Sequence, residues 1–238
     1  MQNSTSRRGF FFTGTDTGVG KTLIAGAIAK ALAAAGRRVG VMKPFESGCR
    51  REGGLLIAED ARFLKKMSGA ADDLSLICPY ALARPLAPGV AAQEENIVID
   101  MATVTTAFAR IAARHDLVLV EGAGGLMVPV TAEHLTVDLV RLLGLPLVII
   151  ARTTLGTINH TLLTVKQAQS EGIAVRGIIL NKLSAAPDEA EETNPAVIQK
   201  LSRVPLLGVV PHIPARDRQN PELLSSLVCS HIDLSLLQ

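Results

Sequence analysis

The stretch Phe10-Phe11-Phe12-Thr13-Gly14-Thr15-Asp16-Thr17-Gly18-Val19-Gly20-Lys21-Thr22 constrains this chain more than any other part of it. Three consecutive aromatic residues read as a short buried strand. A glycine-rich turn follows, and Gly20-Lys21-Thr22 opens a helix rich in alanine and leucine. Such a turn aims several backbone N–H groups into one small space, and the helix start adds unpaired N–H groups and the positive end of its dipole. Lys21 adds a full positive charge for outer phosphates, and the Thr22 hydroxyl can reach a magnesium ion. The pattern predicts a loop that binds a nucleoside triphosphate. Its spacing is unusual: Gly14 and Gly20 enclose five residues where the common loop has four, so Thr15 stands where the first glycine usually is.

The rest of the chain supplies the scaffold such a loop needs. Of its 238 residues, 48% are hydrophobic but only 3% are aromatic, so the core must be aliphatic, as in a buried parallel sheet covered by helices. A net charge of +2 with no basic run beyond pairs such as Arg37-Arg38 gives no footprint for nucleic acid. Cys49, Cys78 and Cys229 are odd in number and widely spaced, which fits a reducing cytoplasm and neither a disulfide framework nor a metal cluster. No apolar run is long enough to span a membrane. Residues 1–8 are expected to be a disordered tail and 9–238 a single domain.

Read in order, helical and extended patterns alternate. Leu23–Ala35 is a predicted helix and Val39–Met42 a strand that delivers Lys43-Pro44-Phe45-Glu46-Ser47-Gly48 at its carboxyl end, where open parallel sheets bind ligands. Leu55–Met67 reads as a helix with Asp60 near its start. The proline-rich run from Cys78 to Pro88 reads as a rigid connector. Met101–Arg114 is helical. Leu117 to Val120 form a central strand ending in the carboxylate of Glu121, and Gly122-Ala123-Gly124-Gly125 lets backbone approach an anion closely. Helix Thr136–Leu143, strand Pro146–Ala151 and a helix running to Ser170 follow. Ahead of that last helix, Thr153, Leu155, Gly156 and Asn159 lie in a polar start suited to an anion. Val175–Leu180 is a strand ending at Asn181, residues 185–194 read as a surface loop, and Pro195–Ser202 is a short helix. Leu206–Val210 and a tail helix complete the pattern. The expected fold is α/β: a single phosphate-loop NTPase-like domain, with a mostly parallel sheet of about seven strands and helices on both faces.

The combination Gly14-Thr15-Asp16-Thr17-Gly18-Val19-Gly20-Lys21-Thr22, Lys43-Pro44-Phe45-Glu46-Ser47-Gly48, Pro79-Tyr80, Val120-Glu121-Gly122-Ala123-Gly124-Gly125, Leu155-Gly156-Thr157-Ile158-Asn159-His160, Ile179-Leu180-Asn181 and Pro205-Leu206-Leu207-Gly208 resembles the dethiobiotin synthetases, the ATP-dependent carboxylases of biotin synthesis. The resemblance runs over nearly the whole chain, and the five-residue spacing of the loop is similar as well. It implies an enzyme that joins 7,8-diaminononanoate, CO2 and ATP into dethiobiotin, ADP and phosphate, through a carbamate and a carbamic-phosphoric anhydride.

Carried onto this chain, the resemblance makes Lys21 and Lys43 the charge-stabilising pair. It gives ATP contacts to Gly18, Val19, Gly20, Lys21, Thr22, Leu23, Asp60, Glu121, Gly122, Ala123 and Gly124, with Asn181 and Pro211, His212 and Ile213 around the adenine. Thr22, Asp60 and Glu121 would hold Mg2+. Thr17, Lys43, Ser47 and Gly124 would contact the diamine or its carbamate. Thr153, Leu155, Gly156 and Asn159 would take the substrate carboxylate across the interface of a homodimer. One position departs from the family pattern: Gly18 stands where many members carry an acidic residue, so any contact made by that side chain is absent. A partitioning ATPase would carry a second lysine early in the loop, and Asp16 has the opposite charge.

Overall fold

A computed structural model describes residues 9–186 and 189–237, so the tail expected over residues 1–8 lies outside the described residues. The first strand, β1 (Gly9–Gly14), is buried along its whole length and enters the phosphate loop directly. Helix α1 (Lys21–Ala34) leaves that loop, and β2 (Val39–Met42) follows. Short pieces come next: β3 (Phe45–Glu46), β4 (Arg50–Glu52), β5 (Leu55–Ile57), α2 (Glu59–Ser68), α3 (Leu74–Ile77), β6 (Tyr80–Ala81) and α4 (Pro88–Glu94). The remaining elements alternate as expected: α5 (Met101–Ala112), β7 (Leu117–Glu121), α6 (Thr136–Leu143), β8 (Leu147–Arg152), α7 (Thr157–Ser170), β9 (Val175–Asn181), α8 (Glu189–Ser202), β10 (Leu206–Val210) and α9 (Pro221–His231).

The main sheet has six strands among the described residues, in the order β10-β9-β8-β1-β7-β2, and every pairing in it is parallel. That is one strand fewer than the seven expected from hydrophobic runs. Alternate residues of β1 face opposite layers. Phe10 and Phe12 point into the core beneath α1, α2 and α9; Phe11 points into the core beneath α5, α6, α7 and α8. Because the strands are parallel, Gly14, Met42, Glu121, Arg152, Asn181 and Val210 all end at one edge. From β1 the chain crosses to the edge strand β2, returns to β7 and then passes to β8 on the other side of β1, and ligands bind at the crevice such a reversal leaves. Helix α1 packs closely on α2: a Cβ at Gly26 would stand 2.4 Å from the Phe63 ring. Phe45 and Tyr80 pair across the β3–β6 ribbon and stack with ring centroids 5.9 Å apart.

Two expected elements differ. The helix expected over 55–67 starts only at Glu59, because Leu55–Ile57 pairs antiparallel with Arg50–Glu52. Gly53 and Gly54 both have positive φ, 56° and 84°, which a two-residue hairpin turn demands. Of the loop expected over 185–194, residues 189–194 are instead the beginning of α8, in which Glu191 and Asn194 are buried. Its acidic first turn complements the helix dipole, and Pro195 lies within the helix. Among the described residues, no helix is long and apolar enough to cross a membrane.

Candidate active site

The loop between β1 and α1 is shaped by its glycines and fastened from three sides. Gly18 and Gly20 take φ of 75° and 93°, the left-handed region that glycine enters without strain. A Cβ at Gly20 would lie 2.2 Å from Asn181 Nδ2, whereas one at Gly18 would meet nothing within 4 Å. The Asn181 amide donates to the Val19 carbonyl at 2.9 Å, so the end of β9 braces the loop. On the other side, Gly14 N–H donates to the Gly124 carbonyl at 3.1 Å and Thr15 N–H to the Ile150 carbonyl at 3.0 Å. Asp16, whose charge argued against a second loop lysine, forms an ion pair with Arg152 at 2.5 Å. No side chain caps the start of α1, so its first-turn N–H groups face the loop.

Lys21 is buried, and its ammonium donates to the Asp16 carbonyl at 3.1 Å. Burial, reinforced by the positive charge of Lys43, lowers its pKa from the ordinary 10.5 to about 8. Thr22 donates its hydroxyl to Glu121 Oε1 at 2.8 Å. The Lys43 ammonium donates to that same Glu121 oxygen at 2.5 Å and stands 3.2 Å from Asp60 Oδ2. Burial alone would lower the Lys43 pKa, but the charges of Glu121 and Asp60 and the hydrogen bond to Glu121 hold it above the ordinary lysine value. Glu121 is 1% exposed, and its second oxygen, Oε2, is buried with no hydrogen-bond partner. Two lysines, two carboxylates and a hydroxyl from four separate elements thus converge on one floor.

A cleft of about 830 Å³ opens above that floor. Thr17, Gly18, Gly20, Leu23, Ser47, Ala123, Gly124, Asn181 and Ile213 line it together with Lys21, Thr22, Lys43, Asp60 and Glu121. Other expected residues stand behind or away from its wall. Val19 is buried beneath the loop, and Gly122 is turned inward, where a Cβ would be 2.7 Å from the Phe11 ring. Pro211 and His212 sit beside Ile213, and His212 Nδ1 is buried without a partner. Thr153 is fully buried, and its hydroxyl donates to Glu191 Oε1 at 2.5 Å, which turns its side chain away from any ligand. Glu191 in turn faces the Lys182 ammonium at 3.4 Å, and Asn194 holds the Thr153 carbonyl at 2.7 Å. Leu155, Gly156 and Asn159 are exposed on the outer surface, away from the cleft of their own chain.

Sequence reasoning passed over several residues that line the cleft. Pro85, Leu86, Ala87 and Pro88 form one wall, although the proline run reads only as a connector. Phe45, Glu46, Val128, Lys182, Leu183 and Arg218 complete other parts of the lining. Glu46 is a further surprise: both of its oxygens accept backbone N–H groups, from Asp60 at 2.9 Å and Ala61 at 3.0 Å. The glutamate after Lys43-Pro44-Phe45 could have been found only by asking what caps α2, since Ala58 cannot.

A family model described as an AAA domain matches residues 8–220. The ATP-dependent dethiobiotin synthetase BioD of Bacillus subtilis (strain 168) is 45% identical over 230 residues, covering 97% of this chain and 97% of that protein. The protein of the same name from Thermodesulfovibrio yellowstonii is 42% identical, covering 87% of this chain and 90% of that one. The one from Anaeromyxobacter dehalogenans (strain 2CP-C) is 44% identical, covering 87% and 91%. Among solved structures, a ParA family ATPase from Chlorobium tepidum TLS superimposes with a TM-score of 0.54 at 18% identity, covering 97% of this chain and 96% of that one. The septum site-determining protein MinD from Pyrococcus horikoshii OT3, complexed with Mg-ADP, gives 0.58 at 16% identity, covering 98% and 95%. At such low identity these two share the fold alone.

Proposed function

We propose a reaction course from one premise: the chain belongs to the ATP-dependent dethiobiotin synthetase family. It converts 7,8-diaminononanoate, CO2 and ATP to dethiobiotin, ADP and phosphate. One amine of the diamine adds to CO2 and loses a proton, giving a carbamate. A carbamate oxygen attacks the γ-phosphorus and releases ADP, leaving a carbamic-phosphoric anhydride. The second amine then attacks the carbonyl carbon, expels phosphate and loses a proton, closing the ureido ring.

The single observation behind this course is the Lys43 ammonium fixed between Glu121 and Asp60, on the same glutamate oxygen that receives the Thr22 hydroxyl. Negative charge gathers on phosphate and carbamate oxygens in the transition state, and pre-positioned cations stabilise it with little reorganisation. Lys21 serves the phosphates from within the loop; Lys43 serves the carbamate and the transferring phosphoryl group. Thr17, Ser47 and Gly124 line the same cleft and orient the diamine. Gly18, Gly20 and Leu23 cradle the triphosphate with their backbone, while Asn181 and Ile213 flank the base.

Thr22, Asp60 and Glu121 fit a magnesium ion. The unpartnered Glu121 Oε2 is the donor that a cation would satisfy, and all three side chains offer oxygen. Among the described residues no three His, Cys, Asp or Glu side chains cluster, which agrees with a cation held by one or two carboxylates and completed by phosphate oxygens. A bound magnesium supplies positive charge against the phosphate oxygens.

The working form is a homodimer in the cytoplasm. Leu155, just ahead of α7, and Leu163, within it, are 84% and 60% exposed and eight residues apart with Asn159 midway between them, which gives the start of α7 an outer edge for a second copy. Leu155, Gly156 and Asn159 then serve the carboxylate of the diamine bound to the partner. All three cysteines are free, and burial pushes the Cys49 thiol up to about 11, as suits inert thiols in a reducing compartment. The test is ADP release with diaminononanoate and bicarbonate each present or omitted. Turnover that needs both supports the reaction; fast ATP hydrolysis without either overturns it.

A further inference from the structure

Helix α2 begins at Glu59 with Ala58 as its capping residue, and alanine has no side chain to offer. Its first free N–H groups are nevertheless satisfied. Glu46, fourteen residues earlier, reaches across with both carboxylate oxygens, taking Asp60 N–H at 2.9 Å and Ala61 N–H at 3.0 Å. Glu46 is only 8% exposed. Burying a carboxylate costs more than placing a serine at the cap, so helix stability alone is a poor account of it. The remote position does something a local cap cannot. Glu46 sits on the same short segment as Lys43 and Ser47, and that segment is pinned by β3–β6 pairing and by Leu82 N–H donating to the Glu46 carbonyl at 2.8 Å. The carboxylate therefore ties the axial position and rotation of the first turn of α2 to the strand end that carries Lys43. Asp60 lies in that turn, with its carboxylate 3.2 Å from Lys43.

We propose that Glu46 is a positioning residue for Asp60: it grips the start of α2 from the Lys43 segment and so sets where the Asp60 carboxylate stands for the divalent cation. The inference rests on the magnesium role given to Thr22, Asp60 and Glu121 above. Glu46 borders the cleft, but both of its carboxylate oxygens are taken up by the backbone of α2, so its removal should weaken cation binding and leave metal-free nucleotide binding intact.

The test uses Mn2+ as the probe, followed by electron paramagnetic resonance, in the full chain with a non-hydrolysable ATP analogue. Glu46→Gln keeps the volume but replaces one acceptor by an amide that repels an N–H. It and Glu46→Ala should bind Mn2+ about tenfold to a hundredfold more weakly, as outer partners of metal ligands do. Affinity for the analogue in chelator should stay within about twofold of wild type, a difference of about 0.4 kcal/mol. Adding Ala58→Ser to Glu46→Ala supplies a local cap; it should raise the melting temperature again without restoring Mn2+ affinity. Wild-type Mn2+ affinity in Glu46→Gln, or recovery of both properties in the Ala58→Ser double variant, overturns the proposal in favour of plain helix capping. A wild-type protein that binds Mn2+ with the analogue but forms no dethiobiotin would instead count against the reaction and leave the positioning role standing.

Discussion

Removing the loop lysine should make the empty protein more stable while disabling it. Lys21 keeps a positive charge in a buried place beside a second lysine, and its pKa falls from the ordinary 10.5 to about 8. That drop corresponds to about 3 kcal/mol of folding free energy lost to keeping the ammonium charged. Lys21→Met keeps most of the side-chain volume and removes the charge. It also forfeits the hydrogen bond to the Asp16 carbonyl, worth about 1 kcal/mol. The net gain should be about 2 kcal/mol, or about 4 to 8 °C in melting temperature for a chain of this size. The pH dependence has a definite sign. Below pH 8 both folded and unfolded chains carry the proton, and wild type bears the whole cost. Between 8 and 10.5 the folded chain releases its proton first, so wild-type stability rises with pH and the advantage of the variant shrinks. Calorimetry on nucleotide-free protein in chelator at pH 7 and pH 9.5 measures both effects, and ATP titration should show the affinity lost. A variant less stable than wild type at pH 7, or a stability gap that ignores pH, would refute the reasoning.

Three further outcomes follow from the same site. Asp60→Asn removes a charge beside Lys43 and should raise the Mg2+ concentration needed for half-maximal ADP release; an unchanged titration makes Asp60 a solvated helix position. Gly20→Ala drives a Cβ to 2.2 Å from Asn181 Nδ2 at a φ of 93° and should abolish nucleotide binding, while Gly18→Ala, with open space around it, should cost only about 1 kcal/mol by thermal melting. Gly156→Asp places a negative charge at the start of α7 and should weaken diamine binding while ATP binding stays normal. Mixed with Lys21→Met chains under conditions of subunit exchange, it should recover activity up to about half of wild type per mixed dimer; no recovery despite exchange would sink the shared site.

The parts of this protein that were legible from sequence are those where local chemistry allows one outcome. Phe10 to Thr22 could be read as strand, loop and helix because three aromatics, the glycines and Lys21-Thr22 each permit little else. The aliphatic runs of β7, β8 and β9 announced buried parallel strands, and their polar ends, Glu121 and Asn181, announced the site. What escaped depends on partners distant in the chain. Gly53-Gly54 turns β4 back on β5, which steals the first residues from the expected helix. Glu191 and Asn194 look like loop residues until Thr153 and Lys182 arrive to bury them. Glu46 looks like a solvated charge until the bare start of α2 meets it. Pro85 and Pro88 have the rigidity of a connector, and only the fold reveals that rigidity as one wall of the cleft.

The stack of Tyr80 on Phe45 gives the protein an optical voice of its own. The chain has one tyrosine and no tryptophan, so under excitation too long in wavelength for phenylalanine its intrinsic emission comes from a single ring. That ring accepts the Asp100 N–H at its hydroxyl and lies face to face with Phe45, which borders the cleft two residues from Lys43. A molecule settling against Phe45 therefore changes the surroundings of the one tyrosine through one intervening contact. Occupancy of the cleft becomes readable in the tyrosine band of unlabelled protein, with no second tyrosine or tryptophan to mask it.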